Sequence, residues 1–435
     1  MHKKKIHQIL FFVCVAVSCK AKHTLQQTAT NNVYNTQQQT MKENILQKLL
    51  DDNPQYFKHI TDNKDSFRMQ IIYTQINRDE NNIPHFTQYS FNNDTSQYFY
   101  PASTVKFPIA LLALEKLNNM AVAGVNKFIP MINDSNATGQ TIRFTQPVSS
   151  NSAPTISNYI KQILLVSDNE AFNRLYEFLG QEYIQKQLAS KGYTGDEMRH
   201  RLQVSLTEEQ NRQTNAVSFF DTSGNLLFAQ PEQYSHAIFQ KRNTLLGKGY
   251  IKDDKLVNEP FNFSIKNKFY LQDLNSILRS IIFPETVDAK QRFNLTPDDY
   301  NFLYRYMSAY PRESIYPSYD TSEYYDAYCK FLFYGSEKVS MQPHIRIFNK
   351  VGDAYGFLTD ISYFADFENK VEFFLSATIY CNSDGIFNDD KYDYDDFGYP
   401  FFKHLGQTVY NYELQRQKKY LPDLNKFVTD YSKEY

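Results

Sequence analysis

The chain has 435 residues, with 46 Lys and Arg against 48 Asp and Glu, for a formal charge of −2. That balance gives no footing for nucleic-acid binding, and no long basic tract follows the first few residues. An apolar content of 42% marks a folded chain, long enough for one large domain or two small ones.

Residues 1–19 read MHKKKIHQILFFVCVAVSC. A basic start (Lys3, Lys4, Lys5) precedes an apolar stretch from Ile9 to Val17, shorter than the roughly 20 residues a spanning helix needs, so we read an export signal. Its end, Ala16-Val17-Ser18-Cys19, resembles a bacterial lipobox. That resemblance implies lipidation of Cys19 and a protein held at the bacterial cell envelope by a lipid anchor; an ordinary signal with an incidental cysteine is the plainer alternative. Residues 20–41 are polar, without an apolar period, and read as a tether. Residues 42–435 form the remaining domain. Of its cysteines, Cys329 and Cys381, the sequence does not say whether they pair.

A helix is expected from Lys42, interrupted at Pro54. Phe67–Ile76 and His85–Phe91 alternate and are rich in β-formers, with turn residues between them, and so predict an antiparallel pair. The segment Tyr100–Leu117 (YPASTVKFPIALLALEKL) organises the rest. Its apolar run predicts a helix buried on most of its surface. A helix starting near Ser103 sets Lys106 one turn on, on the same face, where free N–H groups favour negative charge. A hydroxyl, an amine able to take its proton and a positive helix end suit an acyl-transfer nucleophile. Ser-x-x-Lys alone is weak, expected about once by chance in a chain of this length, and an N-capping serine with a solvated lysine explains it as well.

Pro154-Thr155 opens another helix, with Thr155 as N-cap. It stops at Ser167-Asp168-Asn169, and a second helix, Glu170–Leu179, ends at Gly180. A polar triplet between two apolar helices either caps them or projects a side chain into a cleft. Ala216–Ala229 predicts a hairpin. Residues 231–341 read as mostly helical and irregular, including a Tyr-rich piece over 300–334. His344–Val351, Phe357–Ala365 and Val371–Tyr380 predict an antiparallel meander with a turn at Gly352–Gly356. Residues 382–399 read as acidic loop and Phe401–Tyr412 as a closing helix. Lys350-Val351-Gly352 stands at the end of the first meander strand.

Ser-x-x-Lys, Ser-Asp-Asn and Lys-x-Gly thus follow in order. The set resembles the class A β-lactamases and penicillin-binding proteins, whose motifs are S-x-x-K, S-D-N and K-T-G. The resemblance implies an α/β (α+β) fold with a five-stranded antiparallel sheet flanked by helices, an all-helical lobe and a cleft between them. It implies that Ser103 is the acylated nucleophile, Lys106 its proton partner and Ser167 the hydroxyl that passes a proton to the leaving nitrogen. Asn169 would hold a substrate amide, Asp168 would be structural, and Lys350 would face the substrate carboxylate. Gly352 completes the third motif, and the N–H groups of Ser103 and Asp353 would form the oxyanion hole.

The chain departs from the family in three ways. No glutamate stands where class A enzymes keep their deacylating base: that position falls near Gln203, with Glu208 and Glu209 the alternatives in sequence, both also readable as solvated surface. Val351 replaces the hydroxyl that helps hold a substrate carboxylate, a loss on the order of 1.5–3 kcal/mol. The interval from Ser167 to Lys350 is long. The expectation is a monomeric serine hydrolase without cofactor or metal, acting on a β-lactam or, alternatively, as a penicillin-binding peptidase or esterase on a cell-wall peptide. A non-catalytic envelope lipoprotein with this fold is the rival of another class.

Overall fold

The computed structural model describes residues 44–135, 153–433 and 435. The signal segment, the tether and Cys19 lie outside the described residues. Asn44–Tyr435 forms one compact unit.

Two short helices, α1 (Ile45–Asp51) and α2 (Pro54–Asp62), come first. Asn44 caps α1 through its side chain, and Pro54 sits at the first position of α2, where its missing N–H costs nothing. Strands β1 (Gln70–Arg78) and β2 (Pro84–Phe91) follow. The C-terminal meander supplies β3 (Ile345–Ala354), β4 (Phe357–Asp366) and β5 (Val371–Tyr380). Together they form one antiparallel sheet in the order β3-β4-β5-β1-β2. Both chain ends therefore build the sheet, and β3 is an edge strand.

The expected turn at Gly352–Gly356 is shorter than the sequence suggested. Gly352, Asp353 and Ala354 continue β3, with Asp353 opposite Leu358, and only Tyr355 and Gly356 make the reversal. Turn-forming residue types here yield to ten paired positions along β4.

One core lies between the sheet and the helical lobe, around Phe107, Leu111, Ile160, Phe172 and Ile361. A second fills the other face, where α1, α2 and the closing helix α8 (Tyr399–Gln415) pack on Tyr73, Val351 and Leu375. In the lobe, α3 (Lys106–Met120) is apolar nearly all round and correspondingly buried. Its one buried acid, Glu115, pairs with Lys191 at 2.7 Å. Helices α4 (Ile156–Val166) and α5 (Asn169–Leu179) pack against α3 and each other. Helices α6 (Leu271–Ile282) and α7 (Pro297–Ser308) lie against the sheet.

The lobe is not all helical. Residues 233–262 hold five strands of two to four residues each rather than helix. One of them, Gly249–Lys252, pairs in parallel with Ile386–Phe387, inside the stretch expected to be loop. Strands this short carry almost no period, which is why the sequence does not reveal them. Cys329 and Cys381 are both buried and free.

Candidate active site

A tight turn presents Ser103. Residues 102–105 form a single 3-10 turn that runs into α3 at Lys106. Ala102, just before the serine, adopts a left-handed backbone (φ 46°), an unusual conformation for a residue with a Cβ. Strand β3 presses edge-on against this turn. A Cβ at Gly352 would stand 2.8 Å from Pro101 O and from the backbone nitrogens of Ser103 and Thr104. Glycine is therefore required at this point of the third motif for the strand edge to reach the nucleophile turn.

The second motif sits where α4 ends. Ser167 is the left-handed C-cap of α4 (φ 59°), while Asp168 caps α5 by accepting from Ala171 N at 2.7 Å. Capping and projection are thus divided between neighbours: Asp168 holds the helix start, and Ser167 turns its hydroxyl toward two amines. Lys350 Nζ donates to Ser167 Oγ at 2.8 Å and to Val351 O at 2.7 Å. Lys106 Nζ lies 3.2 Å from the same Oγ and donates to the Ser167 carbonyl.

Both lysines are buried. Burial, and after it the charge of Lys350, holds the Lys106 amine well below the usual lysine range. Burial brings Lys350 down to about 8. The downward shift of Lys106 favours the neutral amine, whose lone pair can take a proton, while Lys350, at about 8, is mostly charged at neutral pH.

Ser103, Asn169 and Asp353 line one cleft of about 530 Å³. A larger hollow of about 800 Å³ around Ile132 and Phe220 contains none of these groups, so chemistry rather than size selects the site. The cleft floor is a loop over residues 199–215 held by buried polar anchors. Arg201 Nε donates to Glu177 Oε1 on α5 at 2.9 Å, with both side chains fully buried. The Asn173 side chain clamps the Leu202 backbone from both sides, each bond 2.9 Å.

These anchors place Gln203 against the second motif, where Asn169 Nδ2 donates to Gln203 Oε1 at 2.7 Å. The alternatives Glu208 and Glu209 do not border the cleft. They lie in a helical turn, Glu208–Arg212, whose capping box with Thr207 directs both to the surface. Glu208, about half exposed, lies 3.6 Å from Arg199, and Glu209 accepts from the Tyr234 hydroxyl at 3.1 Å. Glu208 borders instead a small hollow with His200, Val204 and Lys266.

The sequence did not point to His200, Lys266 or Tyr355, which also line the cleft. His200 Nδ1 lies 2.6 Å from Arg201 O, and its ring stacks on Tyr100 with centroids 6.2 Å apart. Burial, and next Lys266, push its imidazole down to about 3, so it is neutral at physiological pH. Asp353 is pushed upward by the surrounding protein and drawn down by Lys350 and Lys106, with a net rise. Its side chain stays open to solvent at the mouth, so water softens that push.

Residues 55–229 match the model of the beta-lactamase enzyme family. The chain has a beta-lactamase/transpeptidase-like fold. The matched stretch holds Ser103, Lys106 and the Ser167–Asn169 triplet, while Lys350 lies beyond it on β3. No curated protein sequence matches the chain. Among solved structures, a beta-lactamase from Chitinophaga pinensis is similar at 9% identity and a TM-score of 0.47, over 85% of this chain and 99% of that one. A beta-lactamase from Burkholderia phymatum gives 12% and 0.46, over 84% and 98%. PBP-A gives 13% and 0.44, over 85% and 96%.

Proposed function

We propose that the chain is an exported, lipid-anchored serine hydrolase that works through an acyl-enzyme on Ser103. The observation that carries this reading is the Ser167 hydroxyl held between two buried amines beside the nucleophile turn. In the forward step, neutral Lys106 takes the Ser103 proton as Oγ attacks the substrate carbonyl. The backbone N–H groups of Ser103 and Asp353 meet the developing oxyanion. Ser167 hands a proton to the leaving nitrogen and is resupplied through the amines. Asn169 holds a substrate amide. The cyclic amide of a β-lactam is the first substrate class, as in class A enzymes.

A second reading draws on Gln203. A carboxamide cannot take a proton from water, and Gln203 rather than a carboxylate stands beside Asn169. This favours a penicillin-binding peptidase or esterase, acylated readily and deacylated slowly. The non-catalytic reading requires the buried amines and their serines to serve binding alone.

A fluorophosphonate probe of neutral charge separates catalysis from mere binding. It is expected to phosphonylate Ser103 with loss of fluoride, and Ser103→Ala is expected to stay unlabelled. A parent protein that resists the probe while remaining folded overturns the hydrolase reading.

A further inference from the structure

The cavity that holds Ser103 carries a cation that the acyl-transfer machinery leaves unused. Lys106 and Lys350 are both engaged at Ser167, and neither borders this cavity. His200 borders it as a neutral ring. Arg201 borders it with its guanidinium fully buried against Glu177. That leaves Lys266, half-buried at the wall and joined to no acid within ion-pair distance among the described residues.

Two backbone bonds hold this residue. Lys266 N donates to Phe263 O at 3.1 Å, and the Lys266 carbonyl accepts from Arg242 Nη2 at 2.6 Å. Beside it, the buried Asn267 accepts through Oδ1 from the backbone N–H groups of Arg199 and His200, at 2.7 and 3.0 Å. Lys266 is therefore fixed to the loop that floors the cleft. Its Nζ lies 3.4 Å from the Tyr355 hydroxyl, 5.4 Å from the centre of that ring and 5.6 Å from the centre of the Phe261 ring. Tyr355 meets Tyr100 edge-on, with centroids 5.2 Å apart, and Tyr100 stacks on His200. Tyr355, Tyr100 and His200 all line the cavity, and Tyr100 stands three residues before Ser103. An aromatic wall thus runs from the nucleophile turn to the ammonium.

An apolar wall that ends in one unpaired cation is the arrangement that recognises an apolar stem ending in an anion. Half-burial strengthens such a contact, because less solvent screens it. We propose that Lys266, with Tyr100 and Tyr355, forms a subsite for a carboxylate carried on the acyl group of the substrate, so that acyl donors with an acidic end are preferred. The subsite deepens the acyl-transfer reading and rests on it for its place in the reaction. It is separate from the third motif, where Val351 supplies no hydroxyl and the Lys350 amine donates to Ser167 Oγ and Val351 O. Asp353 is the one acid that lines the cavity among the described residues. A carboxylate displaced from Lys266 toward Asp353 meets like charge, so position as well as charge is selected.

The test uses the N-phenyl monoamides of glutaric, adipic and pimelic acids, each paired with the terminal carboxamide of the same chain length. Acid and carboxamide have nearly the same shape and differ in charge. Calorimetry on the full chain carrying Ser103→Ala measures binding without turnover. The best-fitting acid is expected to bind at least tenfold tighter than its carboxamide. Adding Lys266→Met is expected to bring that pair within twofold, and adding Lys266→Arg instead to keep the preference, with circular dichroism checking that each variant is folded. Equal binding of acid and carboxamide in all three pairs, no binding of any acid, or a preference that survives Lys266→Met overturns the subsite. The fluorophosphonate experiment distinguishes the failures. Labelled Ser103 without acid preference removes the subsite alone, whereas acid preference with unlabelled Ser103 removes the hydrolase reading and leaves the subsite standing as a binding site.

Discussion

At the scale of single residues the account turns on two buried amines with different duties. Lys106→Ala removes the proton acceptor and is expected to slow acylation of Ser103 by about 10²–10⁴-fold, read as the rate of adduct formation. Lys350 gives a pH signature. Its amine titrates at about 8, so acylation by an anionic penicillin is expected to fall as pH rises through about 8, and Lys350→Arg is expected to move that decline upward. The sign for stability is opposite. A lysine lowered from 10.5 sheds its proton in the folded state first, so between about 8 and 10.5 the unfolded chain binds more protons and stability rises with pH. The slope is at most about 1.4 kcal/mol per pH unit. Denaturant midpoints at pH 8 and pH 9.5 check it, with Lys350→Met expected to lose this contribution.

At the scale of elements, the site depends on a strand edge meeting a helix start and on a loop held from beneath. Gly352→Ala introduces an atom 2.8 Å from the nucleophile turn, and the displacement is expected to cost about 1–3 kcal/mol and to depress acylation. Thermal unfolding and labelling rate, measured on the same sample, test both effects. Arg201→Met removes the guanidinium that faces the buried Glu177 carboxylate and is expected to cost about 3–5 kcal/mol; an unchanged unfolding midpoint would remove the loop anchor from the account. The long regular elements were legible in the sequence. The alternation of Val371–Tyr380 predicted β5 to the residue, and Thr155 was readable as the cap of α4. Loop placement was not legible, because Glu208 and Glu209 are directed outward by a capping box and an anchor that involve Thr207, Gln210, Arg201 and Glu177, residues that meet only in the folded chain.

At the scale of the whole molecule, sheet strands from both chain ends enclose a lobe whose helices carry the first two motifs. The order of the motifs made this architecture readable, because the first two fall at element boundaries and the third on an edge strand, where a side chain can reach a cleft. The middle of the chain was less readable. Its short strands over 233–262 pair with distant partners such as Ile386–Phe387 and leave little local pattern.

The central claim is that Ser103 forms an acyl-enzyme whose hydrolysis lacks a loop carboxylate. Intact mass followed in time after mixing the full chain with benzylpenicillin tests it most directly, with Ser103→Ala as control and Gln203→Glu as the informative variant. The account predicts an adduct on Ser103 that persists in the parent and decays at least tenfold faster in Gln203→Glu. An adduct that is absent from the parent, or that forms equally on Ser103→Ala, contradicts it.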